Sequence, residues 1–92
     1  MIRSFRDKEA EKLFHREFSK RYRNIARVAQ RKLRILDSAH TLADLMNPPA
    51  NHLEALKGDR EGQSSIRINQ QFRLCFVWQE PDAAEIEIVD YH

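Results

Sequence analysis

The 92-residue chain holds a single cysteine, Cys75, which excludes an intrachain disulfide and a sulfur-based metal site. Cys75 lies inside an apolar run, where a thiol is expected to be buried and inert. The four histidines, His15, His40, His52 and His92, have no spacing typical of zinc. No metal and no cofactor is therefore expected. No apolar stretch approaches the roughly 18 residues that cross a bilayer, and no signal-peptide core follows Met1. The expectation is a cytoplasmic protein without a membrane partner. Repeats and low-complexity tracts are also missing, and the length fits one domain, residues 1–92, with a modest core.

Charge is present in quantity and is unevenly placed. The net value is only +2, but residues 1–36 carry twelve Lys/Arg against four Asp/Glu, and residues 37–92 carry four against ten. The basic third can bind nucleic acid or an acidic partner through phosphate-type contacts. It can equally be a solvated helix face whose long side chains cover apolar surface.

Periodicity divides the chain into helices first and strands second. Met1–Phe5 is a short strand candidate, and Asp7 can cap a helix that starts near Lys8 and buries Ala10, Leu13 and Phe14. Residues 16–23 are polar and basic and are expected to contain a loop. Asn24 is the candidate N-cap of the longest helix, Ile25 to Ala39, whose apolar side is Ile25, Val28, Ala29, Leu33, Leu36 and Ala39. Arg23, Arg27, Arg31 and Arg34 repeat on another face of it. Thr41 with Asp44 resembles a capping box for a short third helix that ends before Pro48-Pro49. The period then changes to two. Strands are predicted over Leu53–Leu56, Ser65–Ile68, Phe72–Trp78 and Ala84–Val89, with polar turns at 57–62 and 69–71 and a turn at Pro81-Asp82. That order predicts an α+β domain, a small antiparallel sheet with two to three helices packed on one face.

Arg73 stands out in the third of these strands. Phe72, Leu74, Phe76 and Trp78 share one face, which leaves Arg73 on the other with Cys75 and Val77, aimed at solvent or a polar cleft. If the last strand pairs beside it, Arg73 falls near the closing Asp90-Tyr91-His92, and Lys57 can converge on the same edge. A carboxylate, a phenol and an imidazole together suit proton transfer, although a frayed polar terminus would look the same in sequence. Cations near a general base and acid are the components of RNA strand cleavage. One group deprotonates the ribose 2′-OH, cations stabilise the charge on the phosphate, and another group protonates the leaving 5′-oxygen.

Residues 56–62 (Leu-Lys-Gly-Asp-Arg-Glu-Gly), Ser65-Ile66-Arg67, Phe72-Arg73-Leu74-Cys75-Phe76 and Asp90-Tyr91-His92, with the opening Met1–Phe5, resemble the HigB toxins of the RelE superfamily, also called GraT or plasmid-maintenance killer proteins. The resemblance covers essentially the whole chain. It implies a toxin of a type II toxin–antitoxin pair: a ribosome-dependent endoribonuclease that cuts mRNA in the A site, without a metal, and so halts translation. It also implies neutralisation by a helix-turn-helix antitoxin of the HigA type, with operator DNA reached only through that antitoxin. The family's active-site residues carry over to Lys57, Arg73, Asp90, Tyr91 and His92. Some members have a histidine where this chain has Glu54, and the nearest histidine is His52. If both lie in one strand they face the same side, so either can supply the missing group, or His92 works alone. Lys20, Arg21, Arg23, Arg27, Arg31 and Arg34 are then expected to meet ribosomal RNA phosphates, with an acidic segment of the antitoxin as the competing use. The alternative reading is a non-catalytic nucleic-acid-binding module, or an inactive toxin that serves as co-repressor. The closing residues are expected to be part of the site, so that extending the chain past His92 impairs it more than extending the N-terminus.

Overall fold

Two α-helices, three 3-10 turns and four strands follow one another along the computed structural model of the chain, which describes residues 1–90. Tyr91 and His92 lie outside the described residues. Helix α1 is Lys8–Phe14 and α2 is Ala26–Ser38. The strands are β1 (Glu54–Ala55), β2 (Ser64–Arg67), β3 (Phe72–Gln79) and β4 (Asp82–Asp90), paired antiparallel in the order β1-β2-β3-β4. This is the α+β architecture expected from the change of period.

Helix α1 starts where Asp7 accepts the Glu9 N–H at 2.9 Å, an N-cap contribution of about 1 kcal/mol. The other oxygen of Asp7 accepts from the Ile88 N–H of β4 at 3.3 Å, so one carboxylate caps the helix and braces the last strand. Helix α2 begins differently from the expectation. Its N-cap is Ile25, with no side-chain cap bond, and Asn24 lies in the preceding turn. The Tyr22 carbonyl accepts the Ile25 N–H at 3.0 Å, so the turn over 21–25 supplies the entry that a capping side chain would otherwise give. Thr41 and Asp44 do form a reciprocal capping box, but the segment they open, Leu42–Met46, is a 3-10 turn. A second 3-10 turn, Pro49–Asn51, follows in a stretch that periodicity left unassigned.

The strand face formed by Ile66, Ile68, Phe72, Leu74, Phe76, Ile86 and Ile88 meets Ala29, Leu33 and Leu36 of α2 and Ala10 and Leu13 of α1. Full burial of a leucine, isoleucine or phenylalanine contributes about 1.5–3 kcal/mol, so this one layer carries most of the stabilisation. The Met1–Phe5 segment does not become a continuous strand. It runs parallel to β4 through two isolated bridges, Ile2 to Ala83 and Phe5 to Ile86. Between them β4 bulges: Glu85 takes φ 54°, and its N–H donates to Ser4 Oγ at 3.0 Å instead of continuing the ladder.

Candidate active site

The β2–β3 hairpin brings the first cations together. Asn69 Oδ1 accepts from the N–H groups of Gln71 and Phe72, both at 2.8 Å, which closes the turn over 68–71. Arg67 and Arg73 are thereby directly opposed across the two strands. Opposed residues of an antiparallel pair share a face, so both guanidinium groups leave the sheet on the side away from the helices.

That side is partly roofed by residues 51–63. Arg73 is only 7% exposed, and Ser65 and Cys75 are fully buried. The expectation that Arg73 faces solvent or a cleft is sharpened accordingly: it is clamped beneath the roof. Its Nε donates to Ser65 Oγ at 2.8 Å, and its Nη2 donates to the carbonyls of Ser65, at 3.3 Å, and His52. Nη1 lies 3.7 Å from a carboxylate oxygen of Glu54. Glu54 is half exposed, so this ion pair is a weak, screened contact and the fixed orientation comes from the hydrogen bonds.

The strand argument for His52 and Glu54 fails. Strand β1 contains Glu54 and Ala55 alone, paired with Ser65 and Ser64, while His52 precedes it in the left-handed region at φ 45°. Its exposed imidazole therefore does not follow the strand's alternation, and it is the His52 backbone carbonyl that reaches Arg73. Lys57 is exposed and lies three residues, about 10 Å of extended chain, beyond Glu54. Asp90 pairs with Phe72, and Val89 with Arg73. The structure thus brings the end of β4 beside Arg73 as expected. It also sets Asp90 on the face of Phe72, opposite to that of Arg73, where its carboxylate accepts from Gln71 Nε2 at 3.1 Å. The positions expected for Tyr91 and His92 fall outside the described residues.

The basic residues Lys20, Arg21, Arg23, Arg27, Arg31 and Arg34 are all exposed. The guanidinium of Arg21 lies 5.2 Å from the centre of the Tyr22 ring. Arg31 and Arg34 border a concavity of about 430 Å³ on the outer side of α2, with Ile35, Ser38, Ala39 and Asp44.

Three features of the site go beyond the residues expected from sequence. Arg67 lies within one of the motifs, and the symmetry of a hairpin about 69–71 places it beside Arg73. Ser65 follows from the same register. The third has no local signal: Arg60, in the 3-10 turn Gly58–Arg60, reaches Glu87 of β4 at 2.6 Å, and Arg6 lies 3.6 Å from the same oxygen. This clasp ties the turn that carries Lys57 across the sheet. Beneath it, burial pushes the Cys75 thiol above its usual range, in keeping with an inert thiol.

A four-stranded antiparallel sheet with two helices on one face and an arginine clamped near the start of β3 is an α+β arrangement consistent with RelE-like toxins. Residues 3–92 match the family described as RelE-like toxin of type II toxin–antitoxin system HigB. The chain is 43% identical over 82 residues to Toxin HigB-1 of Vibrio cholerae serotype O1, covering 85% of this chain and 84% of that protein. It is 33% identical over 94 residues to Endoribonuclease HigB of Proteus vulgaris, covering 100% of both. The chain belongs to the HigB-like toxin family.

Proposed function

We propose that this chain is a ribosome-dependent endoribonuclease that cuts mRNA in the A site and thereby arrests translation in the cytoplasm. The observation that carries the reading is Arg73: a guanidinium fixed by Ser65 and His52, at the end of the sheet where β4 runs toward His92. The name of the Proteus vulgaris relative supports cleavage of RNA. Arg73 and Lys57 bind the scissile phosphate and stabilise its growing charge. His92 and Asp90 exchange protons and Tyr91 orients them; for Asp90 this requires its carboxylate to leave Gln71 Nε2 and turn from the face of Phe72 toward that of Arg73. Proton removal from the ribose 2′-OH lets that oxygen attack phosphorus, the bond to the 5′-oxygen breaks, and the leaving oxygen takes up a proton. No metal enters this balance.

Glu54 and His52 are the secondary candidates for proton acceptor. Glu54, already 3.7 Å from Arg73, is the better placed. The exposed cations Lys20, Arg21, Arg23, Arg27, Arg31 and Arg34 hold ribosomal RNA phosphates and position the toxin without reading sequence. A HigA-type antitoxin neutralises the toxin and carries the pair to operator DNA.

The test is inducible expression followed by mapping of mRNA 5′ ends, with wild type, Arg73→Ala and His92→Gln side by side. Wild type is expected to give in-frame cuts on translated messages, and both variants to lose them. Cuts and growth arrest that persist in both variants would remove the site model. Growth arrest without any cuts would favour the non-catalytic binder.

A further inference from the structure

Lys32 interrupts the buried stripe of α2, between Ala29, Leu33 and Leu36, and is only 8% exposed. Its ammonium donates to Asn51 Oδ1 at 2.6 Å. Asn51 is fully buried, and its Nδ2 donates to the carbonyls of Leu45 and Asn47, both at 3.1 Å. Every hydrogen-bonding atom of that amide is engaged, so Asn51 has one orientation and pins both 3-10 turns to α2. The next residue is His52, whose left-handed backbone, φ 45° and ψ 57°, aims the carbonyl that receives Arg73 Nη2.

We propose that Lys32 and Asn51 are positioning residues for Arg73: they fix the peptide of His52, and through its carbonyl they set the direction of the guanidinium. The proposal rests on the reading that Arg73 holds the scissile phosphate. A role in stability alone accounts poorly for a lysine here. A buried ammonium is costly to desolvate, which offsets much of what its hydrogen bond to Asn51 contributes to folding. Burial, with neighbouring Arg31, indeed holds the Lys32 ammonium below the usual lysine range. What the cation provides that an apolar residue would not is a fixed Asn51, one peptide away from the carbonyl that orients Arg73. Misplacement of a catalytic group by about 1 Å can cost on the order of a hundredfold in rate, so a loose His52 carbonyl would be felt at the phosphate.

The test compares Lys32→Met with wild type in single-turnover cleavage on programmed ribosomes, using the full chain. The maximal rate is expected to fall roughly ten- to hundredfold with the half-saturating ribosome concentration unchanged. In ¹⁵N-labelled protein the Arg73 Nε–H should exchange with solvent faster in the variant, which still melts cooperatively at a temperature lowered by the loss of the bond to Asn51 Oδ1. A folded Lys32→Met with the wild-type maximal rate, or with unchanged Arg73 Nε–H exchange, overturns the proposal. Arg73→Ala runs in the same assay. If it too cleaves normally, the functional reading fails; if it is inactive and Lys32→Met is not impaired, only the positioning role fails. Should Lys32→Met not fold, exchange in the wild type decides. The Asn51 amide and the Arg73 Nε–H, each corrected for intrinsic rate, should open together, and much slower exchange at Arg73 overturns the proposal.

Discussion

Replacing Arg73 by lysine keeps the charge and removes the planar fork. In the native arrangement one guanidinium spans two directions, toward Ser65 Oγ and carbonyl on one side and the His52 carbonyl on the other. A lysine ammonium is a single centre and can serve one of them. The other acceptor is left buried without its donor, at a cost of about 1–3 kcal/mol. The ion pair with half-exposed Glu54 changes this by no more than about 1 kcal/mol. For a domain of this length each kcal/mol lowers the melting temperature by about 4–8 °C, so a drop of roughly 5–20 °C is expected.

Activity should fall further than stability. If the guanidinium stabilises the phosphate as its charge grows, losing one oriented donor costs about 10²–10³ in rate. Melts followed by circular dichroism and single-turnover cleavage at a temperature where both proteins are folded separate the two effects. Ser65→Ala is the control: it removes one acceptor while leaving the guanidinium and the His52 carbonyl in place, so its rate should lie between those of wild type and Arg73→Lys. A lysine variant that melts and cleaves like the wild type would refute the clamp and its role together.

Reversing Arg27, Arg31 and Arg34 to glutamate should weaken ribosome co-sedimentation and flatten its salt dependence by roughly one logarithmic slope unit per lost phosphate contact, without altering the melting curve. Retained co-sedimentation would assign this face to the antitoxin or to solvent. Asp44 gives a pH signature. The backbone N–H groups of His40 and Thr41 hold its carboxyl below the usual range, so its contribution is present above the unfolded value of 3.8 and is lost as pH falls through the lower folded value. Asp44→Asn should therefore melt below wild type at pH 7, with the gap closing at pH values under 3.8. A gap that does not close would show that the capping carboxylate is not the source.

The strands are legible where one face is apolar and packs against the helices. Phe72, Leu74 and Phe76 alternate with Arg73 and Cys75, and the helices pack on the predicted face. Boundaries failed where tertiary contacts replace local signals. Asn24 has the chemistry of an N-cap, but the turn over 21–25 starts the helix at Ala26. Met1–Phe5 has strand composition, but the bulge at Glu85 breaks its ladder to two bridges. The short run before Lys57 departs furthest from its alternation. Alternation does not extend back from Glu54 to His52, because the second 3-10 turn occupies Pro49–Asn51 and leaves His52 left-handed. The consequence is geometric: the imidazole of His52 is not set on one side with Glu54 by strand alternation, and the backbone carbonyl of His52 is what meets Arg73.

Arg73 and Lys32 are informative for the same reason: each is a cation on a stripe that burial would otherwise fill with carbon. In β3 the anomaly was visible, because the pleat assigns every second residue to one face and an arginine among apolar neighbours needs a partner. In α2 the lysine is one position from Leu33 and three from Ala29, well within the buried arc, yet a helix so rich in basic residues hides it among the solvated ones. Its partner is 19 residues away, in a turn that no period announces. Arg73 could thus be found by asking which residue breaks its strand. Lys32 and Asn51 have no such local signal: only the tertiary structure connects the inner face of the helix, through Asn51, with the peptide whose carbonyl meets Arg73.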